Sequence, residues 1–194
     1  MKKSFVILAL LTGCSAPVNA ASPVWNTVEI AYLNADIDGA DNFEPDGFGI
    51  AGSALLGKNF FVGGALSRLS EDVSGVDLDF DTASLGIGYR YGVTASTDIW
   101  GAVSYEYVEL SADGNGGSAS VDENGYGLTV GIRSMVMSNL ELNVALAYVD
   151  IDDADETGVE FGADYFFTSN FSVGASYAIG DDVDTWGINA RYAF

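Results

Sequence analysis

The sequence predicts an all-β fold: a closed antiparallel transmembrane β-barrel of ten strands, with short turns at one end and longer acidic loops at the other. Ten segments of roughly ten residues alternate apolar with small or polar residues at a period of two, which is typical of strands with one apolar face. That length suits a tilted strand that crosses the hydrocarbon core of a membrane. No apolar run reaches the ~20 residues that a membrane-spanning helix needs.

The strands are assigned from this alternation and from the turn residues between them. In the fourth strand, for example, Leu85 and Ile87 are separated by a single glycine. The third strand is ambiguous, because either Phe60 and Leu66 face outward together with Arg68, or the alternate residues do and Arg68 points inward. We place the strands at about residues 25–34, 47–56, 60–69, 80–91, 98–110, 125–135, 140–149, 157–166, 171–179 and 185–194.

The last segment, from Thr185 to Phe194, alternates most clearly. One face is apolar, and the other carries Thr, Gly, Asn, Arg and Ala. An apolar strand left exposed in water invites aggregation, whereas a strand that closes a barrel in lipid has its edge paired and its apolar face covered. We therefore expect this strand to pair with the first one. The side chains expected to face lipid are Trp186, Ile188, Ala190, Tyr192 and Phe194.

Residues 1–20 have the pattern of an export signal, with two lysines, a short apolar run and a small-residue cleavage site that ends at Ala20. Within it, the segment from Leu11 to Cys14 resembles the lipobox of bacterial lipoproteins, so lipidation of Cys14 is the alternative to its removal. We predict cleavage after Ala20, which leaves residues 21–194 as one barrel domain.

The leader, the alternation and the terminal Phe194 resemble those of small bacterial outer-membrane β-barrel proteins of the OmpA and opacity-protein type. The resemblance covers the whole chain after the leader. It implies a place in the outer membrane of a Gram-negative bacterium, in contact with membrane lipid and lipopolysaccharide. It also implies that Trp186, Ile188, Tyr192 and Phe194 form a C-terminal assembly signal for the barrel-assembly machinery. Members commonly have eight strands, so eight is the alternative to ten.

Two kinds of connection alternate along the chain. Four are short and place Asn or Asp just before the next strand, as turn chemistry favours. The other five are longer and contain or flank 22 of the 28 acidic residues. In a bacterial barrel, short turns face the periplasm and longer loops face outward. The formal net charge of -21 argues against nucleic acid as a partner, because nucleic acid requires a basic surface.

The apolar face is predicted to meet lipid. A soluble barrel of the lipocalin type would turn this face inward, but its outer surface would then be Gly, Ser, Ala and Thr with few solubilising charges. We expect Leu85, Ile87, Val130, Leu142, Val144 and Ile188 to face outward. Aromatic residues also cluster at both strand ends, as at the two interfaces of a membrane. They are Trp25, Tyr91, Phe167, Phe171, Tyr192 and Phe194 on the turn side, and Tyr32, Phe48, Tyr107, Tyr126, Tyr148 and Trp186 on the loop side.

Few charged residues fall on the lumenal face. We predict that they form a salt-bridge network, because a confined charge without a partner is costly, and that Arg133 pairs with Glu141 across the turn between them. The alternative is a narrow water-filled pathway, since the other lumenal positions are mostly small and ten strands lie between a filled eight-stranded barrel and an open porin. The predicted lumenal charges are Glu29, Arg90, Glu106, Arg133, Glu141, Glu160, Asp164 and Arg191, with Arg68 depending on the third strand.

No catalytic or cofactor site is predicted. The sequence has no histidine and, after cleavage at Ala20, no cysteine, which excludes Ser-His and Asp-His arrangements. Dense carboxylates bind Ca²⁺ or Mg²⁺ weakly, so divalent cations are a candidate partner, but no ligand set stands out. The segment from Asp36 to Asp41 is faintly similar to a calcium loop, yet Asp41 stands where the EF-hand pattern needs glycine. Solvated loops that repel one another are the simpler interpretation.

The sequence thus predicts a non-enzymatic outer-membrane barrel with a structural or surface-interaction role, whose acidic loops meet ions, lipopolysaccharide or other surfaces. A small passive pore that prefers cations is the alternative. The two functions differ in whether the lumen conducts, which depends on how the lumenal side chains are arranged.

Overall fold

A computed structural model describes residues 22–40, 43–114, 116–152 and 154–194. Its strands are β1 Thr27–Ile37, β2 Asp46–Leu56, β3 Phe60–Asp72, β4 Val76–Gly92, β5 Thr97–Gly114, β6 Gly117–Met137, β7 Leu140–Ile151, β8 Ala154–Phe166, β9 Phe171–Gly180 and β10 Val183–Ala193. They close into one antiparallel barrel in which β1 pairs with both β2 and β10. The prediction of ten strands is confirmed, and the eight-strand alternative is wrong. Cys14 and the rest of the leader lie outside the described residues.

Apolar side chains point outward along the middle of the strands, as predicted. In β3, Phe60 and Leu66 are exposed while Leu69 is buried, so Arg68 also points outward and is not a lumenal charge. The described residues contain no helix that is long and apolar enough to cross a membrane. The outward residues named above, Leu85, Ile87, Val130, Leu142, Val144 and Ile188, are between 40% and 64% exposed.

The alternation changes its polarity near the loop-side end of the barrel, at a height that we call the tyrosine level. Below this level outward side chains are apolar, and above it they are acidic. In β4, for example, Asp77 and Asp79 continue the outward face of Leu85, whereas Phe80 points inward and is buried. The tyrosine level is defined by the outward residues Tyr32, Tyr107, Tyr126, Tyr148 and Tyr177.

An apolar core fills the lumen at and above the tyrosine level, and we call it the outer-lumen core. Water surrounds the barrel there, so apolar side chains are stabilised on the inside, as in a soluble protein. The sequence interpretation treated lumenal positions as mostly small or polar, which is wrong for this part of the barrel. The core contains Ala31, Leu33, Ala35, Leu69, Phe80 and Val183, with a neighbouring cluster of Val108, Val149 and Ile151.

Most of the residues expected to form outer loops belong to strands. The first connection at this end, 38–45, is the longest. The other four are residues 73–75, 115–116, 152–153 and 181–182. The strands continue outward because their alternation continues with reversed polarity, so that acidic residues meet water and apolar residues meet the outer-lumen core. A prediction that assumes an apolar outward face along the whole strand assigns such segments to loops.

Leu69→Ala should lower the free energy of unfolding by about 2–5 kcal/mol, because it leaves a cavity in the outer-lumen core. Leu66→Ala is the matched control on the same strand and should cost less, since lipid or detergent fills the space on the outer face. Urea unfolding in detergent micelles, followed by tryptophan fluorescence, measures both variants. Equal losses would contradict an apolar core in the outer lumen.

Candidate functional site

A connected group of charged side chains occupies the lumen in the turn-side half of the barrel. We call it the lumenal charge cluster: Glu29, Arg133, Glu141, Asp164 and Arg191. The Arg191 Nε lies 2.7 Å from Glu29 Oε2, and its Nη1 lies 2.6 Å from Asp164 Oδ2 and 3.8 Å from Glu141 Oε1. The Arg133 Nη2 lies 2.6 Å from the same Glu141 oxygen. The two arginines, on β6 and β10, thus join carboxylates from three other strands, β1, β7 and β8.

Strand register and burial explain the pairing within this cluster. Glu29 lies directly opposite Arg191 on the seam between β1 and β10. Asn189 donates a hydrogen bond from Nδ2 to Asp164 Oδ1 at 3.0 Å. All five side chains of the cluster are at most 4% exposed, and charges buried to this degree are stable only with partners.

The segment before β1 folds into the turn-side mouth of the barrel. Trp25, which the sequence interpretation placed in the turn-side aromatic belt, is only 2% exposed. Its indole donates a hydrogen bond to Asp98 Oδ2 at 2.8 Å, and the Arg133 guanidinium lies 4.5 Å from the ring centre. The expectation failed because Trp25 continues the inward parity of Thr27 and Glu29, both of which are buried, so its side chain enters the lumen. Its ring packs against Phe61 and Trp100, and we call these three residues the mouth cluster.

Arg90 belongs to the mouth and not to the lumenal charge cluster. Its Nη1 lies 3.1 Å from Asp98 Oδ2, and it donates a hydrogen bond to the Pro23 carbonyl at 3.3 Å. Asp98, which is fully buried, was missed as a site residue. The signal for it was present, because Asp98 shares its strand parity with the predicted lumenal residue Glu106.

Glu106 and Glu160 also lie on the lumenal face, but neither forms an ion pair in the described part of the chain. Glu106 accepts a hydrogen bond from the Ser104 hydroxyl. Glu160 borders a cavity of about 60 Å³, together with Thr129 and Thr185. The eight predicted charges are therefore divided into a cluster of five, one arginine at the mouth and two separate carboxylates.

Carboxylates line the outer rim just above the tyrosine level. Asp150 accepts hydrogen bonds from the hydroxyls of Tyr126 and Tyr148 at 3.3 and 3.1 Å. Asp184 accepts one from Tyr177 at 2.7 Å. Each tyrosine thus has its ring on the apolar outer wall and its hydroxyl on the acidic rim, an arrangement that suits a membrane interface.

Strands β4, β5 and β6 extend beyond the rim as a projecting sheet. In β6, residues 117–124 pair only with β5, because pairing with β7 begins at Gly125 opposite Ile151. Most of these residues are exposed. No strand in the described part of the chain covers their outer edge, which we call the free edge of β6.

The remaining predictions concern metal binding by the acidic residues and the C-terminal strand. No group of three or more acidic, His or Cys side chains in the described residues is arranged to hold a metal ion, and Asp41 lies outside those residues. The assembly role of the C-terminal strand stays a prediction. The four side chains predicted to form the assembly signal point outward, with exposures of 43% for Trp186, 54% for Ile188, 52% for Tyr192 and 65% for Phe194.

A closed antiparallel barrel with an apolar outer wall and paired charges in its lumen defines an integral outer-membrane β-barrel protein. The chain belongs to the outer membrane protein beta-barrel domain family, whose model matches residues 6–167. The protein therefore lies in the outer membrane of a Gram-negative bacterium, with its short turns facing the periplasm. A search of the curated proteins finds no match.

Ail and the NanC porin are two of the solved structures that share this fold at low sequence identity. Ail, the attachment invasion locus protein of Yersinia pestis, is 17% identical with a TM-score of 0.51, over 88% of this chain and 99% of that chain. The NanC porin is 7% identical with a TM-score of 0.56, over 86% of this chain and 100% of that chain. At these identities the likeness extends to the fold alone.

Replacing Arg191 with Ala should lower the free energy of unfolding by about 3–5 kcal/mol, because Glu29 and Asp164 would then be buried without their partner. Arg68→Ala is the control. It breaks an exposed pair with Asp81 on the outer surface and should change stability little. Urea unfolding in micelles compares the two variants. A small loss for Arg191→Ala would mean that water reaches the lumenal charge cluster.

Proposed function

We propose that this barrel is a non-conducting, non-enzymatic protein that binds cationic partners through its projecting acidic sheet. The free edge of β6 carries this proposal. An uncovered strand edge presents unpaired N–H and C=O groups, to which an extended segment of another protein can add as a further strand. The non-enzymatic part is supported by the absence of histidine from the sequence.

The charge of the sheet selects the chemistry of the partner. Asp113 and Asp122 lie next to the free edge, and Asp77 and Asp79 line the outer face of β4. Among the described residues, Arg68 is the only basic residue on this side of the tyrosine level, and it is occupied by Asp81. A lysine-rich or arginine-rich extended segment is therefore the partner that this sheet fits best.

The same charge separates this protein from a structural neighbour. A structure of Ail in complex with the heparin analogue sucrose octasulfate is also similar to this chain, with a TM-score of 0.52. A polyanion of that kind would be repelled by the acidic rim and sheet. At the membrane surface we expect divalent cations to bridge the rim carboxylates and the phosphates of lipopolysaccharide.

The filled lumen supports a barrel that does not conduct. The mouth cluster and the lumenal charge cluster occupy the periplasmic half, and the outer-lumen core occupies the other half. The small cation-preferring pore remains the alternative, favoured by the carboxylate of Glu160 at the cavity of about 60 Å³. A cavity of this size holds only a few water molecules.

Purified protein in planar bilayers should give no steady conductance, because no continuous water path is expected through the filled lumen. Single-channel recording of the unmodified protein and of Arg133→Ala tests this. Reproducible cation-selective steps in the unmodified protein, altered by Arg133→Ala, would decide for the pore.

Binding is tested with an oligolysine peptide and two variants of the hairpin between β5 and β6. In one, an Asn-Gly turn replaces residues 111–120, which shortens the free edge. In the other, Asp113→Asn, Asp122→Asn and Glu123→Gln keep the edge and remove its charge. Each variant should weaken binding of the peptide to the barrel in nanodiscs by at least about threefold at low salt. High salt should weaken binding of the peptide to the unmodified protein.

The control for this experiment combines Asp36→Asn, Glu44→Gln and Asp46→Asn, which also removes three acidic residues, from β1, β2 and the connection between them. It should bind the peptide nearly as well as the unmodified protein. If the control loses as much affinity for the peptide as the hairpin variants do, binding depends on total charge and the sheet is not the binding site. If neither hairpin variant loses affinity, the proposal of a cationic partner at this sheet is wrong.

A further inference from the structure

We propose that the membrane-facing wall between β4 and β7 binds one acyl chain of an anionic phospholipid from the periplasmic leaflet. A groove of about 590 Å³ crosses this wall. It lies near the periplasmic ends of the strands, within the apolar band that contacts lipid. Its rims are Tyr89, Tyr91, Ile99, Val130, Ile132 and Leu146.

The groove exists because one outward position has no side chain. Gly101 lies between Tyr89 on β4 and Val130 on β6 in the strand register. Its neighbours on the same face of β5, Ile99 and Val103, are 45% and 52% exposed and project into the membrane. The missing side chain at Gly101 thus leaves a depression bounded by large apolar groups.

The backbone does not require glycine at this position. A Cβ built on Gly101 would lie 3.5 Å from the Thr129 carbonyl oxygen and 3.6 Å from Val130, which are ordinary contacts. Two other glycines on the lipid face, Gly52 and Gly64, differ, because a Cβ there would come within 2.9 Å of a backbone oxygen. Close strand packing accounts for those two glycines. At Gly101, by contrast, the strands leave room for a side chain, so the open space is available to a lipid tail.

The charge at this end of the barrel indicates the head group. Lys58 is the only lysine after residue 3, and it is exposed on the turn between β2 and β3. That turn is attached to β4, since Asn59 exchanges hydrogen bonds of 2.8 and 2.9 Å with the backbone of Arg90, the residue between Tyr89 and Tyr91. Lys58 therefore lies beside the groove, within reach of a phosphate whose acyl chain enters it.

Acidic residues do not oppose this attraction. The acidic side chains nearest the periplasmic end, Asp98 and Glu141, are fully buried and paired with arginines. The periplasmic rim is thus basic where the outer rim is acidic. Lipopolysaccharide, which occupies the outer leaflet, meets the acidic rim, so we assign the groove to a phospholipid.

The experiment uses the full barrel refolded in detergent and titrated with phosphatidylglycerol or phosphatidylcholine, with native mass spectrometry counting the bound lipids. Gly101→Leu should weaken binding of the first phosphatidylglycerol by about tenfold, since each displaced methylene is worth about fourfold. Ala163→Leu, on the lipid face of β8, is the matched control and should leave that binding unchanged. Lys58→Gln should reduce the preference for phosphatidylglycerol over phosphatidylcholine by about threefold.

A shift in gel mobility between unheated and heated samples verifies that each variant is folded before titration. Equal binding by the Gly101→Leu and Ala163→Leu variants would overturn the proposal. So would competition by lipopolysaccharide as effective as that by phosphatidylglycerol, because it would assign the groove to the other leaflet. A dimer in the unmodified protein that Gly101→Leu abolishes would show that a second copy occupies the groove and would also refute the assignment.

Discussion

The change of solvent along each strand is the constraint on which this structure depends. Over the membrane the outer wall meets hydrocarbon, and beyond it the same wall meets water. Strand geometry keeps alternate residues on opposite faces throughout, so the chain must exchange apolar for acidic residues at fixed positions on each strand. Tyr148 followed by Asp150, and Tyr107 followed by Glu109, mark that exchange within two residues. The lumen changes in the opposite sense, from paired charges to an apolar core.

This inversion also accounts for the position of the lumenal charge cluster. A lumen lined by glycine, serine and alanine would leave the membrane part of the barrel loosely filled, and large charged side chains fill it instead. Arg191 extends from β10 to carboxylates on β1 and β8, and Arg133 connects β6 to β7. The pair of Arg191 with Glu29 lies across the seam where the first and last strands meet. Charge pairing thus contributes to closing the barrel as well as to filling it.

The alternation of apolar residues was sufficient to predict the ten strands and the facing of all but the third, because a period of two has one physical meaning in a membrane barrel. It did not predict the outer extensions of β4, β5 and β6, since polarity reverses there. It also did not predict the division of the lumenal charges. Whether Glu160 approaches an arginine depends on the relative shift of distant strands, which no local pattern records. Trp25 was misplaced for a different reason: its aromatic side chain suggested the membrane interface, although it shares the inward parity of Thr27 and Glu29.

The distribution of basic residues has a consequence for the exposure of this protein to proteolysis. Beyond residue 3, Lys58 lies at the periplasmic rim, Arg90, Arg133 and Arg191 lie inside the barrel, and Arg68 lies within the paired strand β3. Enzymes of the trypsin type cleave after basic residues and need a locally unpaired segment. From outside the cell they meet Arg68 alone, in a hydrogen-bonded sheet. The projecting hairpins, which offer the exposed turns that proteases favour, therefore contain no bond that a trypsin-like enzyme can cut.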